Sequence, residues 1–186
     1  MSAVFTPTRL RITVGQYQKM GKAGVFSPDA RVELIEGEIL SMAPIGTAHA
    51  NICDLLVKQL VLALGNAAVV RAGNPVDLGD YSEPESDLSL LRPQNYRHSH
   101  PQAADVLLLI EVSDSSLGFD QGPKRDLYAK FGVPEYWVID VNTPRVVVYR
   151  DPVQGAFRRI HECLIGDVVL PRAFPNIKIT VGDLFT

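Results

Sequence analysis

The sequence predicts a mixed β-sheet with helices packed against it, an α/β (α+β) fold, and three stretches carry that prediction. Val106-Leu-Leu-Leu-Ile110 is a continuous apolar run ending in Glu111 and Val112, the pattern of a strand covered on both faces. Glu135-Tyr-Trp-Val-Ile-Asp140 is a second buried strand. Between them, Gly122-Pro-Lys-Arg-Asp-Leu-Tyr-Ala-Lys-Phe-Gly132 reads as a short helix, with Pro123 at its first position and Gly132 past its end.

The other elements follow in chain order. Thr13 caps a short helix through Met20 that ends at Gly21. Arg31 to Glu36 and Glu38 to Met42 read as two strands of a hairpin joined tightly at Gly37. Thr47 begins the longest helix, Ala48 to about Leu64, with Ile52, Leu55, Leu56 and Leu60 on its apolar stripe and Gly65-Asn66 ending it. Ala68 to Arg71 and Pro75 to Leu78 read as two separate strands, and the loop from Gly79 to Glu85 leads into the strand Ser86 to Leu91. Asn95 to Ala104 is an irregular excursion. After the central strands, Asn142-Thr-Pro turns into Arg145 to Tyr149, Phe157 to His161 continues a meander, and Leu164 to Thr186 adds short strands and a final turn.

Length and composition bound the function. The 186 residues fit one domain, 1–186, with a hydrophobic content of 46% and a charged content of 21%, the balance of a soluble globular protein. No apolar stretch reaches membrane-spanning length, because Asp54, Lys58 and Gln59 interrupt the longest helix. The N-terminus lacks a secretory signal pattern, and Cys53 and Cys163 form no metal-spacing motif, so free thiols in a reducing cytoplasm are expected. A net charge of −3 weighs mildly against a strong nucleic-acid binder, although a cluster of active-site carboxylates also lowers the charge.

The chemistry concentrates around three residues. Lys124 shares a helical stripe with Leu127, Tyr128 and Phe131, while Arg125, Asp126 and Lys130 take the wet side. A lysine on a core-facing stripe, in a first turn where the dipole disfavours cations, implies a nearby anion, with Glu111 the obvious candidate. The alternative is a lysine stem along apolar surface, its ammonium in water and paired with Asp120 for about 0.3–0.5 kcal/mol. Glu111 ends the most hydrophobic strand on the face of Leu107 and Leu109, so its carboxylate needs a cation or donors. If the strand opened by Asp87 is its neighbour, two carboxylates converge as ligands for a hard cation such as Mg²⁺, which would lower the pKa of a bound water. Lys124 would then orient that water or stabilise the transition state. This is phosphodiester hydrolysis, and it needs no organic cofactor.

Four strings resemble one family: Arg31-Val-Glu-Leu-Ile-Glu-Gly-Glu38, Ser82-Glu-Pro-Glu-Ser-Asp-Leu-Ser-Leu-Leu91, Leu109-Ile-Glu-Val-Ser-Asp-Ser-Ser116 and Gly132-Val-Pro-Glu-Tyr-Trp-Val-Ile-Asp140. They are similar to the Uma-type family of the PD-(D/E)XK nuclease superfamily, from about Thr13 to Leu184. The resemblance implies a restriction-endonuclease-like core, a Mg²⁺-dependent site in which Mn²⁺ can substitute, DNA as substrate and often a homodimer. It assigns metal binding to Asp87 and Glu111 and moves the motif lysine to Lys124 on the following helix. Ser86 stands where the family has proline, and Ser113 where the superfamily has lysine, so the third member depends on Lys124 reaching the site.

Further residues carry two readings each. Glu33 is a further acid near the metal or an exposed strand glutamate, and Tyr128 bonds toward the acids or is an ordinary core tyrosine. His49 is a hydrogen-bonded core histidine or a site contact. Asp114 and Asp120 read as caps of the Lys124 helix. Glu36 and Glu38 read as solvated turn residues, while Tyr136 and Trp137 suit packing. His98 and His100 lack the further ligands a metal needs. The apolar segments Val146 to Val148 and Val168 to Leu170 supply either a dimer interface or core. A non-catalytic nuclease-fold binding module is the main rival function. A serine hydrolase has no Gly-x-Ser-x-Gly elbow to support it.

Overall fold

The structure, a computed structural model, describes residues 8–186, so the expectation about an N-terminal signal falls partly outside the described residues. Six strands form the central sheet in the order β3-β4-β5-β6-β7-β8. They are β3 (Val69–Pro75), β4 (Glu85–Leu91), β5 (Val106–Ser113), β6 (Glu135–Asp140), β7 (Arg145–Val153) and β8 (Ala156–Leu164). All neighbours are antiparallel except β5 and β6, whose parallel pairing forces a crossover. That crossover holds α3 (Leu117–Phe119), a π-helical turn over Asp120–Lys124, and α4 (Arg125–Lys130).

Both faces of the sheet are covered, which is why β5 and β6 read as continuous apolar runs. On one face α2 (Thr47–Leu64) lays Ile52, Leu56, Leu60 and Leu64 against Leu88, Leu90, Leu108, Ile110 and Trp137. On the other, Leu127 and Tyr128 of α4 and Ile35 of the hairpin pack with Leu109, Tyr136, Val138 and Val147. The hairpin β1 (Val32–Ile35) and β2 (Glu38–Ser41) turns through Glu36 at φ 49° and Gly37 at φ 87°. Positive φ at both central residues matches the twist of a two-residue hairpin, and Arg11 lies against the bare Cα of Gly37.

Several boundaries differ from the sequence reading. The first of the two strands expected before Asp80 runs on through Gly73, at φ 56°, to Pro75, and in place of the second Asp77 makes only an isolated bridge to Gln102. β7 and β8 run longer than their apolar centres, since their outer ends are held by ladder bonds rather than by burial. The crossover helix starts at Leu117, not at Pro123. Pro123 has no N–H to donate, and its ring would crowd an ordinary helical turn. The chain widens instead, and the Arg125 amide donates to the Asp120 carbonyl five residues back. Val146, Val147 and Val148 are core rather than interface, as is Val169.

Leu56 is fully buried between α2 and the sheet. Leu56→Ala is expected to lower the unfolding free energy by about 2–5 kcal/mol, measured by urea denaturation.

Candidate functional site

The site is built where β4 and β5 stop pairing. Their ladder, with one bulge between Leu90 and Leu91, runs as far as Leu88 and Ile110, and beyond that pair the strands diverge. Side chains take over the freed backbone groups: Asp87 Oδ2 accepts the Val112 amide at 2.8 Å, and Glu111 Oε2 accepts the Asp87 amide at 3.3 Å. The two acids therefore lie in the fork, one from each strand, as the sequence reading required.

Lys124 reaches them from the π-helical turn. Its Nζ lies 3.0 Å from Glu111 Oε1 and 3.0 Å from Glu33 Oε2, and donates to the Glu85 carbonyl at 3.2 Å. The ammonium is buried and fully partnered, so the solvated-lysine alternative is corrected, and with it the Asp120 ion pair. Glu33 is buried as well, 4% exposed, and its Oε2 also accepts the Glu85 amide, so the exposed-strand reading of Glu33 is corrected too. The Tyr128 hydroxyl donates to Glu111 Oε1 at 2.9 Å. All five sequence-predicted residues, Asp87, Glu111, Lys124, Glu33 and Tyr128, are thus connected through this cluster.

Burial drives the electrostatics. It raises the Glu111 carboxyl well above the usual range against the pull of Lys124, with Asp87 adding to the rise. Burial alone would lower the Lys124 pKa, but Glu111 and Glu33 outweigh it and raise it. The Tyr128 hydroxyl is raised by burial and by the Glu111 charge. Asp87 is the exception: burial pushes its pKa up, yet the His49 hydrogen bond, the His49 charge and the Val112 amide bring it below the ordinary value.

His49 is the residue the sequence left undecided. Its Nε2 lies 3.0 Å from Asp87 Oδ1, and Cys53, one helical turn on, contacts Nδ1 at 3.8 Å. The i, i+4 spacing of His49 and Cys53 was the available signal, but only the tertiary placement of α2 shows that the ring meets an acid. Asp120 was misread as a cap. It is buried in the cavity wall, where its Oδ2 accepts the Ser113 and Ser116 hydroxyls at 2.7 and 2.6 Å. Ser113, two residues past Glu111, is thus a donor to Asp120. Glu36 and Glu38 are exposed and pair with Lys130 and Arg9 as expected of turn residues. His98 and His100 lie in the irregular loop outside this cluster, and Tyr136 and Trp137 are core.

These groups line a cavity of about 430 Å³, with five acidic side chains (Glu33, Asp87, Glu111, Asp114, Asp120) against two basic ones (Arg31, Lys124). The donor chemistry fits a hard divalent cation, which takes carboxylate oxygens and offsets surplus negative charge. A softer set also exists: His49, Cys53 and Asp87 bring ligand atoms within 4.8 Å of one another. Burial pushes the Cys53 thiol up to about 12, so without an ion it stays protonated.

A family profile described as "Putative restriction endonuclease", Uma2, matches residues 14–182. The chain belongs to the Uma2 family. No curated protein matches it. Among solved structures, it is similar to the crystal structure of a "putative nuclease belonging to DUF820" from Anabaena variabilis, at 18% identity and a TM-score of 0.73. The match covers 94% of this chain and 97% of the other, a likeness of fold. The Uma2 family is the one the four strings resemble, and the mixed sheet with packed helices is the fold class they implied. Among the described residues no helix is long and apolar enough to cross a membrane.

The His49–Asp87 pair gives a pH dependence with a definite sign. Hydrogen bonding to Asp87 raises the His49 pKa above its ordinary 6.5 against burial, and the Asp87 charge adds to the rise. Its contribution to stability is therefore complete below that value and is lost as pH climbs through the raised pKa. The stability deficit of His49→Gln, measured by urea unfolding, is expected to be larger at about pH 5.5 than at about pH 8.5.

Proposed function

We propose that this chain hydrolyses phosphodiester bonds in DNA with Mg²⁺ as its ion, Mn²⁺ substituting. The observation that carries this reading is the lysine of the crossover helix lying 3.0 Å from Glu111, while Glu111 shares the strand fork with Asp87. Asp87 and Glu111 would hold the ion, which supplies a water of lowered pKa and neutralises charge developing on the phosphate. The remaining roles belong to the chain's own groups. His49 and the Val112 amide fix the Asp87 carboxylate and keep it ionised. Lys124 holds Glu111 and Glu33 side by side and sets a positive charge beside Glu111. The Tyr128 hydroxyl restricts the Glu111 carboxyl group to one rotamer.

One observation favours the rival, a nuclease-fold module that binds without cutting. The Lys124 ammonium has three protons and three acceptors around it, Glu111, Glu33 and the Glu85 carbonyl, so it has no proton to spare in this arrangement. Purified protein incubated with plasmid DNA and Mg²⁺ or Mn²⁺ separates the two readings. The wild type is expected to nick the plasmid, Asp87→Asn to abolish nicking, and Lys124→Ala to slow it by about 10²- to 10³-fold. Equal nicking by wild type and Asp87→Asn would assign the cleavage to a contaminant and remove the enzymatic claim.

A homodimer is also part of the proposal, through β8. This nine-residue strand is an edge of the central sheet and carries Ile160 at 60% exposure. Antiparallel self-pairing about Ile160 would set Arg158 opposite Glu162 of the second copy, an opposite-charge pair on each side of the two-fold axis. Sedimentation is expected to show a dimer that Ile160→Glu converts to a monomer. A monomeric wild type would exclude it.

A further inference from the structure

The site has one cation whose partners are not already accounted for, and it is not Lys124. Arg31 precedes β1 by one residue and, by strand alternation, lies on the same side of the hairpin as Glu33. Its side chain lines the same cavity as Asp87, Glu111 and Lys124. It is half-buried, and its charge is felt within the site, where it opposes the rise that burial gives the Glu85 carboxyl and the rise that Asp87 gives the His49 ring. Among the described residues its guanidinium makes one hydrogen bond, from Nη1 to the Ala43 carbonyl at 2.9 Å, and no ion pair. A guanidinium beside five acids that pairs with none of them is held for something else.

We infer that Arg31 takes a phosphate of the bound polynucleotide at the mouth of the cavity. The inference rests on the phosphodiesterase reading and names the group that holds the substrate for it. The bond to Ala43 fixes one arm of the guanidinium and leaves Nε and Nη2 as donors. Two neighbouring N–H donors on a planar fork match two phosphate oxygens, which an ammonium cannot do. Lys124 cannot serve in its place, since Glu111, Glu33 and the Glu85 carbonyl already surround it. The acids need this counterweight: in a cavity with an excess of carboxylates, a polyanion is repelled until a cation at the rim offsets the field.

The test measures binding without turnover. A fluorescein-labelled DNA oligonucleotide is titrated with the full chain in Ca²⁺, in place of Mg²⁺, across a salt series read by anisotropy. Arg31→Gln is expected to weaken binding about tenfold and to reduce the slope of log K against log[salt] by about one phosphate contact. Arg31→Lys keeps the charge, so it is expected to restore the slope while leaving part of the affinity loss. Wild-type affinity and slope in Arg31→Gln would overturn the assignment, as would a wild type that does not bind. Should Arg31→Gln melt early, Arg31→Lys decides alone, an unchanged Kd overturning the inference. Arg31-dependent binding without plasmid nicking would instead sink the nuclease reading and leave this contact standing.

Discussion

The ammonium of Lys124, enclosed by two glutamates, is the interaction on which the rest of the site depends. Burying three charged groups together is expensive unless each is matched, and breaking such a cluster from one side costs about 3–5 kcal/mol. Each surrounding element supplies one part of the match. The hairpin delivers Glu33, the central strand Glu111, the start of β4 the Glu85 carbonyl and amide, and the crossover helix the lysine and Tyr128. Without the ammonium the hairpin would press one carboxylate toward another in a dry interior. The cluster therefore fastens the hairpin to the sheet at the wall of the candidate site.

The second constraint is the fork between β4 and β5. Backbone groups freed where strands part must find partners, and here carboxylates accept the amides of Asp87 and Val112. An acid that satisfies backbone is fixed in orientation without any help from a ligand. The fork thus converts a break in the sheet into two preset acids, and α2 completes the arrangement by bringing His49 to the far oxygen of Asp87.

What could be read from the chain alone follows from how local the signal is. Val106 to Val112 and Glu135 to Ile139 announce themselves, because strands covered on both faces must be apolar throughout. Lys124 was legible because one charge on an apolar stripe breaks a strong pattern. Glu33 was a candidate with two readings, because β1 is too short for its alternation to distinguish the buried face from the wet one, and only docking of the hairpin decides it. His49 and Asp120 were obscured for a similar reason, since each meets its partners through tertiary placement or a widened turn. Pro123 misled the helix boundary, because a proline at a first helical position and one inside a π turn look the same in sequence.

That widened turn has one consequence for the evolution of the chain. A π turn is a helix carrying one residue more than its neighbours need, and the surplus here sits between Asp120 and Lys124. Losing a residue from this stretch would restore ordinary winding and drive the Pro123 ring against the carbonyl four residues back, the clash that the widened turn avoids. Substitutions can drift along this segment, but its length is locked.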